Sequence, residues 1–384
     1  MKKVIIFEKI KFSRQNEHFK KTITAMIMGV FLSFMFGINA LAAGIRPTAL
    51  NDFESSTANV TSYNMSLPKG TTSKVQQIEM SHPGRLEIDI YSSGLSSFVY
   101  FELYSNSGCT ERVGGSASIY ASRLTDQFYA NIPKAATYYL KIYRSAYYSD
   151  NTANFTIKPY SYSGADKTLK SGAWSGTYAT DYNQTIYHKV VISKPGYITV
   201  QGYSKGSIST PKSSVSISLT NSKKKALEGS FLSSGKNFTT YFGVKKGTYY
   251  IAVKNYGHYK LKYTFKAVSD KSGSSKRKAT TLKKNKPVKG LLISNESAKK
   301  SDWFKIKLTK KKKISFKVNA NVSDYFRVKI IPKNSRIYGT SKLIGPGITS
   351  LKTTNKLPAG TYYIQITKYS ASSPSSGVYS ITLK

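Results

Sequence analysis

The chain has 384 residues and carries 59 Lys and Arg against 18 Asp and Glu, a formal net charge of +41. A chain this basic is expected to bind polyanions or anionic surfaces. Its single cysteine, Cys109, excludes an intrachain disulfide framework. Tyr is abundant while acids and His are scarce, which argues against an acid–base or metal enzyme and predicts that no cofactor is bound.

Residues 1–43 have the composition of an export signal. A basic N-terminal stretch precedes the apolar run AMIMGVFLSFMF at 25–36, and Ala40-Leu41-Ala42 has the small-x-small form of a signal peptidase site. We expect cleavage after this triplet or one residue later, which leaves an extracellular bacterial protein, either secreted or associated with the cell surface. The alternative is an uncleaved membrane anchor, because the apolar stretch is close to the roughly 20 residues that span a bilayer.

The rest of the chain is a threefold repeat. The segment ATYYLKI at 136–142 recurs as GTYYIAV at 247–253 and as GTYYIQI at 360–366, so the period is about 110 residues. That period is the length of a whole small domain rather than of a solenoid unit. We predict three modules, which are separated by segments rich in Ser, Gly or charge. The predicted division is a signal peptide at 1–43, module 1 at 44–162, module 2 at 163–269, a basic linker at 270–278 and module 3 at 279–384.

Each module alternates apolar and polar residues with a period of two. In DWFKIKL, three apolar side chains are predicted to face one way and three others the opposite way: Phe304, Ile306 and Leu308 against Trp303, Lys305 and Lys307. One apolar and one solvated face is typical of antiparallel sheets. We therefore predict an all-β chain of three tandem antiparallel β-sandwich domains.

Five blocks follow one another within residues 279–384: SDWFKIKL, ISFKV, FRVKIIP, LPAGTYYIQI and GVYSITL. Their order resembles that of the bacterial pre-peptidase C-terminal domain, and the resemblance weakens through 166–269 and again through 55–160. It implies a jelly-roll-like sandwich that accompanies secreted exoenzymes, is related in fold to clostridial collagen-binding domains, and serves binding, targeting or secretion.

Two features depart from that family. We expect no peptidase in this sequence, because the repeats occupy the residues after the predicted signal. The collagen-binding relatives hold calcium through clustered acids, whereas the linkers here offer Asp166 or Asp270 alone among lysines. A hard cation needs several oxygen ligands, so we predict no metal site.

No catalytic motif connects the nucleophiles and bases of the chain. His82, His188 and His258 are scattered, and we interpret them as structural or surface residues, with His258 in a Tyr-rich loop. Cys109 is interpreted as a stray thiol in a loop because no local basic neighbour activates it. We predict a non-enzymatic protein; an enzyme whose site assembles only in space is a third hypothesis, behind the two binding hypotheses below.

The positive charge rises along the chain. The net charge is +5 for residues 1–43, +1 for 44–163, +13 for 164–269 and +22 for 270–384. On aligned strands, the positions predicted to face outward change from Glu87 and Asp89 in module 1 to Ser315 and Lys317 in module 3. We predict that the following residues bind a polyanion: Lys276, Arg277, Lys278, Lys283, Lys284, Lys286, Lys310, Lys311, Lys312, Lys313, Lys317, Arg327 and Lys329.

The leading hypothesis is a non-enzymatic binding protein whose basic modules associate with anionic cell-wall or extracellular polymers. Teichoic acid-like polymers, glycosaminoglycans and extracellular DNA are candidates, without sequence-specific nucleic-acid recognition. A second hypothesis is an adhesin for glycans or collagen-type matrix, or an accessory protein for secreted enzymes, since tyrosines such as Tyr143, Tyr160 and Tyr162 crowd predicted loops and strand ends. The plain alternative is that the lysines only keep the protein soluble.

Overall fold

The computed structural model describes residues 44–50, 59–96, 98–148, 151–180, 184–206, 215–232, 237–254, 257–297, 299–333, 340–369 and 375–384. The predicted export signal at 1–43 lies outside these residues. Regular structure in the described part is β-strand apart from short 3-10 turns, one of them over Ala146–Tyr148. None of the described residues forms a helix long and apolar enough to cross a membrane. The predicted all-β fold of tandem β-sandwiches is confirmed.

The residues of module 1 form two layers around one apolar core. The strands are β1 (Thr48–Ala49), β2 (Tyr63–Leu67), β3 (Ser73–Met80), β4 (Gly84–Tyr91), β5 (Val99–Tyr104), β6 (Arg112–Ile119), β7 (Thr125–Ile132), β8 (Ala136–Tyr143) and β9 (Ala153–Ser163). One layer has the order β3-β8-β5-β6, and the other contains β2, β9, β4 and β7. Apolar residues at alternate positions, such as Ile88, Phe101 and Leu140, fill the space between them.

Module 2 repeats the arrangement. Its strands are β10 (Lys167–Thr168), β11 (Trp174–Thr180), β12 (Thr185–Ile192), β13 (Gly196–Gly206), β14 (Val215–Thr220), β15 (Ala226–Leu232), β16 (Asn237–Val244), β17 (Gly247–Lys254) and β18 (Gly257–Ala267). The layers are β10-β12-β17-β14-β15 and β16-β13-β18-β11. Ile198, Phe242 and Ile251 are among the buried side chains between them.

Module 3 is the third sandwich. Its strands are β19 (Thr280–Thr281), β20 (Val288–Leu292), β21 (Ser301–Leu308), β22 (Ser315–Val322), β23 (Phe326–Pro332), β24 (Ser341–Ile344), β25 (Gly347–Lys352), β26 (Gly360–Lys368) and β27 (Gly377–Leu383). The layers are β19-β21-β26-β23-β24 and β20-β27-β22-β25. Phe304, Ile306 and Leu308 point into the core, as the alternation predicts.

Modules 1 and 2 share a sheet. The end of β9 pairs in parallel with β11, Ser163 opposite Tyr178, so one sheet runs β16-β13-β18-β11-β9-β4-β7. The predicted boundary between modules 1 and 2, after residue 162, therefore lies within a strand. Tyr160 and Tyr162 of β9 are buried in a small cluster against Tyr203 of module 2, so they are not the exposed aromatics that the sugar-binding hypothesis needs.

The same junction corrects the prediction for Glu87. Its side chain lies on the outer side of β4, but it is buried because His258 of β18 and Tyr162 cover that surface. His258 is itself a strand residue rather than part of a loop. The sign change predicted for this face from Glu87 to Lys317 therefore does not describe one solvent-exposed surface.

Modules 2 and 3 meet through backbone groups around Gly243 of β16. Ser294 donates its N–H to the carbonyl oxygen of Gly243 at 2.8 Å, and the Gly243 N–H donates to Ser376 Oγ at 2.9 Å. A Cβ at Gly243 would lie 1.9 Å from the carbonyl oxygen of Leu292, so only glycine permits this approach. Glu228 of β15 accepts hydrogen bonds from Ser323 Oγ and, at 3.0 Å, from the N–H of Ser376.

Candidate functional site

One outer surface of module 3 combines cations with aromatic rings. On the sheet β19-β21-β26-β23-β24, every second residue of β21, β26 and β23 faces away from the core. We call the outward set the basic-aromatic face; it consists of Trp303, Lys305, Lys307, Arg327, Lys329 and Tyr363.

The strand register brings these residues side by side. On the central strand β26, Gln365 pairs with Trp303 of β21 on one side and with Lys329 of β23 on the other. Two residues earlier on β26, Tyr363 pairs with Lys305 of β21. Neighbouring strands lie about 4.8 Å apart, so the backbones of Trp303 and Lys329, on either side of β26, are about 10 Å apart. The face is therefore a continuous patch across three strands.

Cations lie over aromatic rings on and beside this face. Trp303 and Tyr363 meet edge to face, with centroids 6.5 Å apart at 80°. Lys276 Nζ lies 4.9 Å from the centroid of the Tyr363 ring, and the Arg327 guanidinium lies 5.5 Å from that of Tyr369. Cation–π contacts of this kind restrict long side chains that would otherwise sample many rotamers.

Acidic side chains do not interrupt the described outer positions of this sheet. The four acids between residues 270 and 384 are Asp270, Glu296, Asp302 and Asp324. Asp302 points inward, where it accepts a hydrogen bond from the hydroxyl of Tyr379 at 2.7 Å. The other three lie outside the strands. The positive potential of the face is therefore not cancelled locally.

The structure brings together some of the predicted polyanion-binding residues and separates others. Lys276, Arg327 and Lys329 lie on or beside the basic-aromatic face, whereas Lys317 lies on the outer surface of the opposite sheet. The remaining predicted residues lie in exposed connections before β19, between β19 and β20, and between β21 and β22: Arg277, Lys278, Lys283, Lys284, Lys286, Lys310, Lys311, Lys312 and Lys313.

Four residues of the face were not among the predicted site residues: Trp303, Lys305, Lys307 and Tyr363. The alternation in DWFKIKL already places the first three on one outward surface, and that signal could have identified them. Tyr363 could not be found in this way, because its neighbours are known only from the pairing of β26 with β21 and β23.

Module 2 carries a related arrangement at the corresponding positions. Tyr187 and Tyr250 meet edge to face with centroids 6.0 Å apart, and Lys224 Nζ lies 4.1 Å from the Tyr187 ring. Lys189 pairs with Tyr250 as Lys305 pairs with Tyr363. Here, however, Asp166 Oδ2 lies 3.1 Å from Lys224 Nζ and offsets its charge.

Module 1 lacks the cations at these positions. Gln77, which pairs with Tyr139, occupies the position of Lys189 and Lys305 in the later modules. Val75 occupies the position of Tyr187 and Trp303. Module 1 does have rings and a cation on this layer, since Lys141 Nζ lies 5.5 Å from the centroid of Tyr143, which stacks on Tyr100. There, however, Glu102 pairs opposite Lys141 and offsets its charge.

The described histidines contact different partners: His82 Nε2 lies 3.5 Å from Ser161 Oγ, and His258 Nε2 lies 2.9 Å from Glu87 Oε1. His188 is buried, with Nε2 2.9 Å from the hydroxyl of Tyr259, and burial lowers its pKa to about 4. Cys109 lies in a turn, and partial burial raises the pKa of its thiol. Among the described residues, no group of three or more His, Cys, Asp or Glu is placed to hold a metal ion.

No protein-family model matches the sequence, and no curated protein is similar to it. The resemblance to the pre-peptidase C-terminal domain therefore stays a prediction. Among solved structures, the chain is similar to PBSX exported protein XepA, with a TM-score of 0.20 and 9% identity over 56% of this chain and 88% of that one.

A second similarity is to the N-terminal CBM22-1–CBM22-2 tandem domain of Paenibacillus barcinonensis Xyn10C, with a TM-score of 0.22 and 9% identity over 56% and 94% of the two chains. A triple jelly roll protein from an archaeal virus matches with a TM-score of 0.18 and 10% identity over 84% and 88%. TM-scores this low support no statement about the function of this chain.

Proposed function

We propose that the protein is a non-enzymatic, secreted or cell-surface-associated protein that binds linear anionic polymers through the basic-aromatic face of module 3. One observation carries the proposal: Lys305, Lys307, Arg327 and Lys329 share one outer surface of the sheet whose described strand positions carry no acid, with Lys276 beside it. An open cationic surface suits an extended polymer better than a small ligand, which needs a concave site.

The composition of the face defines the mode of binding. Lysines act as point charges and attract phosphate, sulfate or carboxylate groups without fixing their geometry. Arg327 is the residue that can bind such a group in bidentate fashion. Trp303 and Tyr363 offer apolar contact to the polymer backbone between its charges. We therefore expect broad recognition of anionic polymers with affinity that depends strongly on salt.

The test compares two variants of the full mature chain by calorimetry with a sulfated dextran at several salt concentrations. The double variant Lys305→Glu/Lys329→Glu should weaken binding strongly and lower the salt slope by about two, since about one counterion is released per lost contact. The double variant Lys317→Glu/Lys352→Glu on the opposite sheet changes the net charge by the same amount; it is the control and should change binding little.

Two results would overturn the proposal. Equal losses in both variants would mean that overall charge, rather than this face, drives association. Binding of the unaltered chain that does not respond to salt would remove the electrostatic basis altogether. If neither result is found, titrations with teichoic acid, heparin and duplex DNA rank the candidate polymers by affinity.

A further inference from the structure

Module 1 has a groove whose chemistry differs from that of the basic-aromatic face. It lies on the outer side of β2, β9 and β4 and has a volume of about 630 Å³. Uncharged polar side chains form most of its lining, together with Lys74 of β3, the ring of Tyr91 and the largely buried side chains of Met65 and Phe155. Its main polar and aromatic lining residues are Asn64, Ser66, Tyr91, Ser92, Asn154 and Thr156. We infer that this groove binds an uncharged oligosaccharide.

The strand register places the lining residues in one row. Thr156 of β9 pairs with Asn64 of β2 on one side and with Tyr91 of β4 on the other. The intervening residues Met65 and Phe155 point into the core and are buried. Amide, hydroxyl and ring therefore face solvent side by side on a rigid sheet, a better-ordered platform than a loop.

Hydrogen bonds within the groove orient its polar groups. Thr156 Oγ1 donates to Asn64 Oδ1 at 2.8 Å, which leaves the amide N–H₂ of Asn64 as a donor toward the groove. Ser92 Oγ donates to the backbone oxygen of Asn154 at 2.8 Å. Sugar hydroxyls act as both donors and acceptors, so fixed amide and hydroxyl groups are suitable partners for them.

Tyr91 supplies the aromatic surface. Its ring is 36% exposed, its hydroxyl donates to Asp89 Oδ2 at 3.3 Å, and Lys158 Nζ lies 5.5 Å from the ring centroid. These contacts hold the ring beside the row of polar groups. An aromatic face next to hydroxyl-binding groups suits a sugar, whose ring has an apolar C–H surface and polar edges.

Charge and size favour a neutral sugar over other ligands. Residues 44–163 have a net charge of only +1. A single lysine, Lys74, lines the groove and the carboxylate of Asp89 lies close to it, so the groove is a poor site for a polyanion. Its apolar side chains are mostly buried, so it lacks the exposed apolar anchors of protein interfaces. Its volume falls within the range of about 300–1,000 Å³ that is typical of small-ligand sites.

The experiment uses the full mature chain at about 0.5 M salt, which screens the basic-aromatic face. Hexaoses of glucose, N-acetylglucosamine, mannose and xylose are titrated to millimolar concentration and followed by calorimetry and saturation-transfer NMR. At least one hexaose should bind. Tyr91→Ala should weaken that binding about tenfold through loss of ring contact, and Asn64→Ala should weaken it as well.

Matched variants separate this inference from the proposed function. Tyr91→Phe keeps the ring and should bind nearly as the unaltered chain does, while Lys305→Glu on module 3 should have no effect on hexaose binding. Failure of every hexaose to bind, or binding unchanged in both Tyr91→Ala and Asn64→Ala, would overturn the inference. Neither result would bear on polyanion binding by module 3.

Discussion

Glu87 of β4 and His258 of β18 meet across the boundary between modules 1 and 2, with Oε1 2.9 Å from Nε2. Arg85 Nε donates to the same carboxylate oxygen at 2.7 Å, and all three side chains are buried. Burial by itself would raise the pKa of Glu87. The hydrogen bonds and charges of His258 and Arg85 outweigh that effect, so the pKa lies below its usual value.

We predict that Glu87→Gln destabilises the protein by about 3 kcal/mol, because it leaves the Arg85 charge buried without a counter-charge. Since the pKa of Glu87 is lowered in the folded protein, its contribution is complete above about pH 4.5 and is lost as the pH falls through the folded value. Urea unfolding of the full mature chain at pH 7 and at pH 3 measures both effects, and the cost of the substitution should shrink at pH 3.

The matched control is Glu79→Gln. Glu79 pairs with Arg46 at 2.7 Å, but the Arg46 side chain is 83% exposed, so solvent screens the pair and little stability should be lost. Similar losses for Glu87→Gln and Glu79→Gln would contradict the assignment of Glu87 as a junction residue.

Glu228 at the contact between modules 2 and 3 should give the opposite pH dependence. Burial raises its pKa to about 7, despite hydrogen bonds from Ser323 and Ser376. A raised pKa means that the folded protein prefers the protonated acid, so stability should fall as the pH rises from about 4.5 to about 7. The expected fall is on the order of 2–3 kcal/mol.

Glu228→Gln stays neutral and should flatten this part of the pH profile, as measured by the midpoint of thermal unfolding across the range. Glu296→Gln is a suitable comparison, because Lys300 and Lys245 hold the pKa of Glu296 below its usual value. The stabilising effect of the unaltered Glu296 should therefore weaken at low pH, where its carboxylate becomes protonated. A pH profile unchanged by Glu228→Gln would disprove the role of Glu228.

Gly243 should control whether modules 2 and 3 stay together. We predict that Gly243→Val separates them, because a Cβ cannot be placed 1.9 Å from the carbonyl oxygen of Leu292. Small-angle scattering should report a longer particle, and limited proteolysis should cleave faster between residues 268 and 300. In Gly229→Ala, the new Cβ would lie 3.5 Å from its nearest neighbour, so this control should keep the original dimensions. A compact Gly243→Val variant would contradict the prediction.

Much of the fold follows from local pattern. Phe304, Ile306 and Leu308 alternate with polar residues, and burying one face of a strand requires that alternation, so strands and core positions were predictable. What could not be predicted is which surfaces of different modules meet. Glu87 and His258 occupy outward positions that resemble solvated ones, and only the shared sheet buries them.

The candidate site divides in the same way. The excess of basic residues predicted that module 3 is cationic, and the predicted polyanion-binding set contained Lys276, Arg327 and Lys329, which lie on or beside the basic-aromatic face. The set also contained Lys317, which the fold places on the opposite surface. Composition indicates how much charge a module carries, whereas strand pairing decides which charges lie together. Tyr363 could be assigned to the basic-aromatic face only from the pairing of β26 with β21.

The arrangement in module 2 offers a gain-of-function test of the proposed function. Asp166 neutralises Lys224, which lies over the Tyr187 ring. Asp166→Asn removes the charge but keeps an oxygen that can accept the Tyr187 N–H, now bonded at 2.7 Å. We predict that affinity for a sulfated dextran rises about two- to fivefold at low salt, because an exposed ion pair of this kind is worth under about 1 kcal/mol.

The gain from Asp166→Asn should disappear at high salt, where the dextran and lysine charges are screened. Glu111→Gln changes the net charge by the same amount, and Glu111 accepts a bond from Ser105 in module 1, away from both aromatic pairs. Its affinity for the dextran should stay that of the unaltered chain. An equal gain in the two variants would show that total charge governs binding, and that the aromatic–lysine arrangement of module 2 contributes no site of its own.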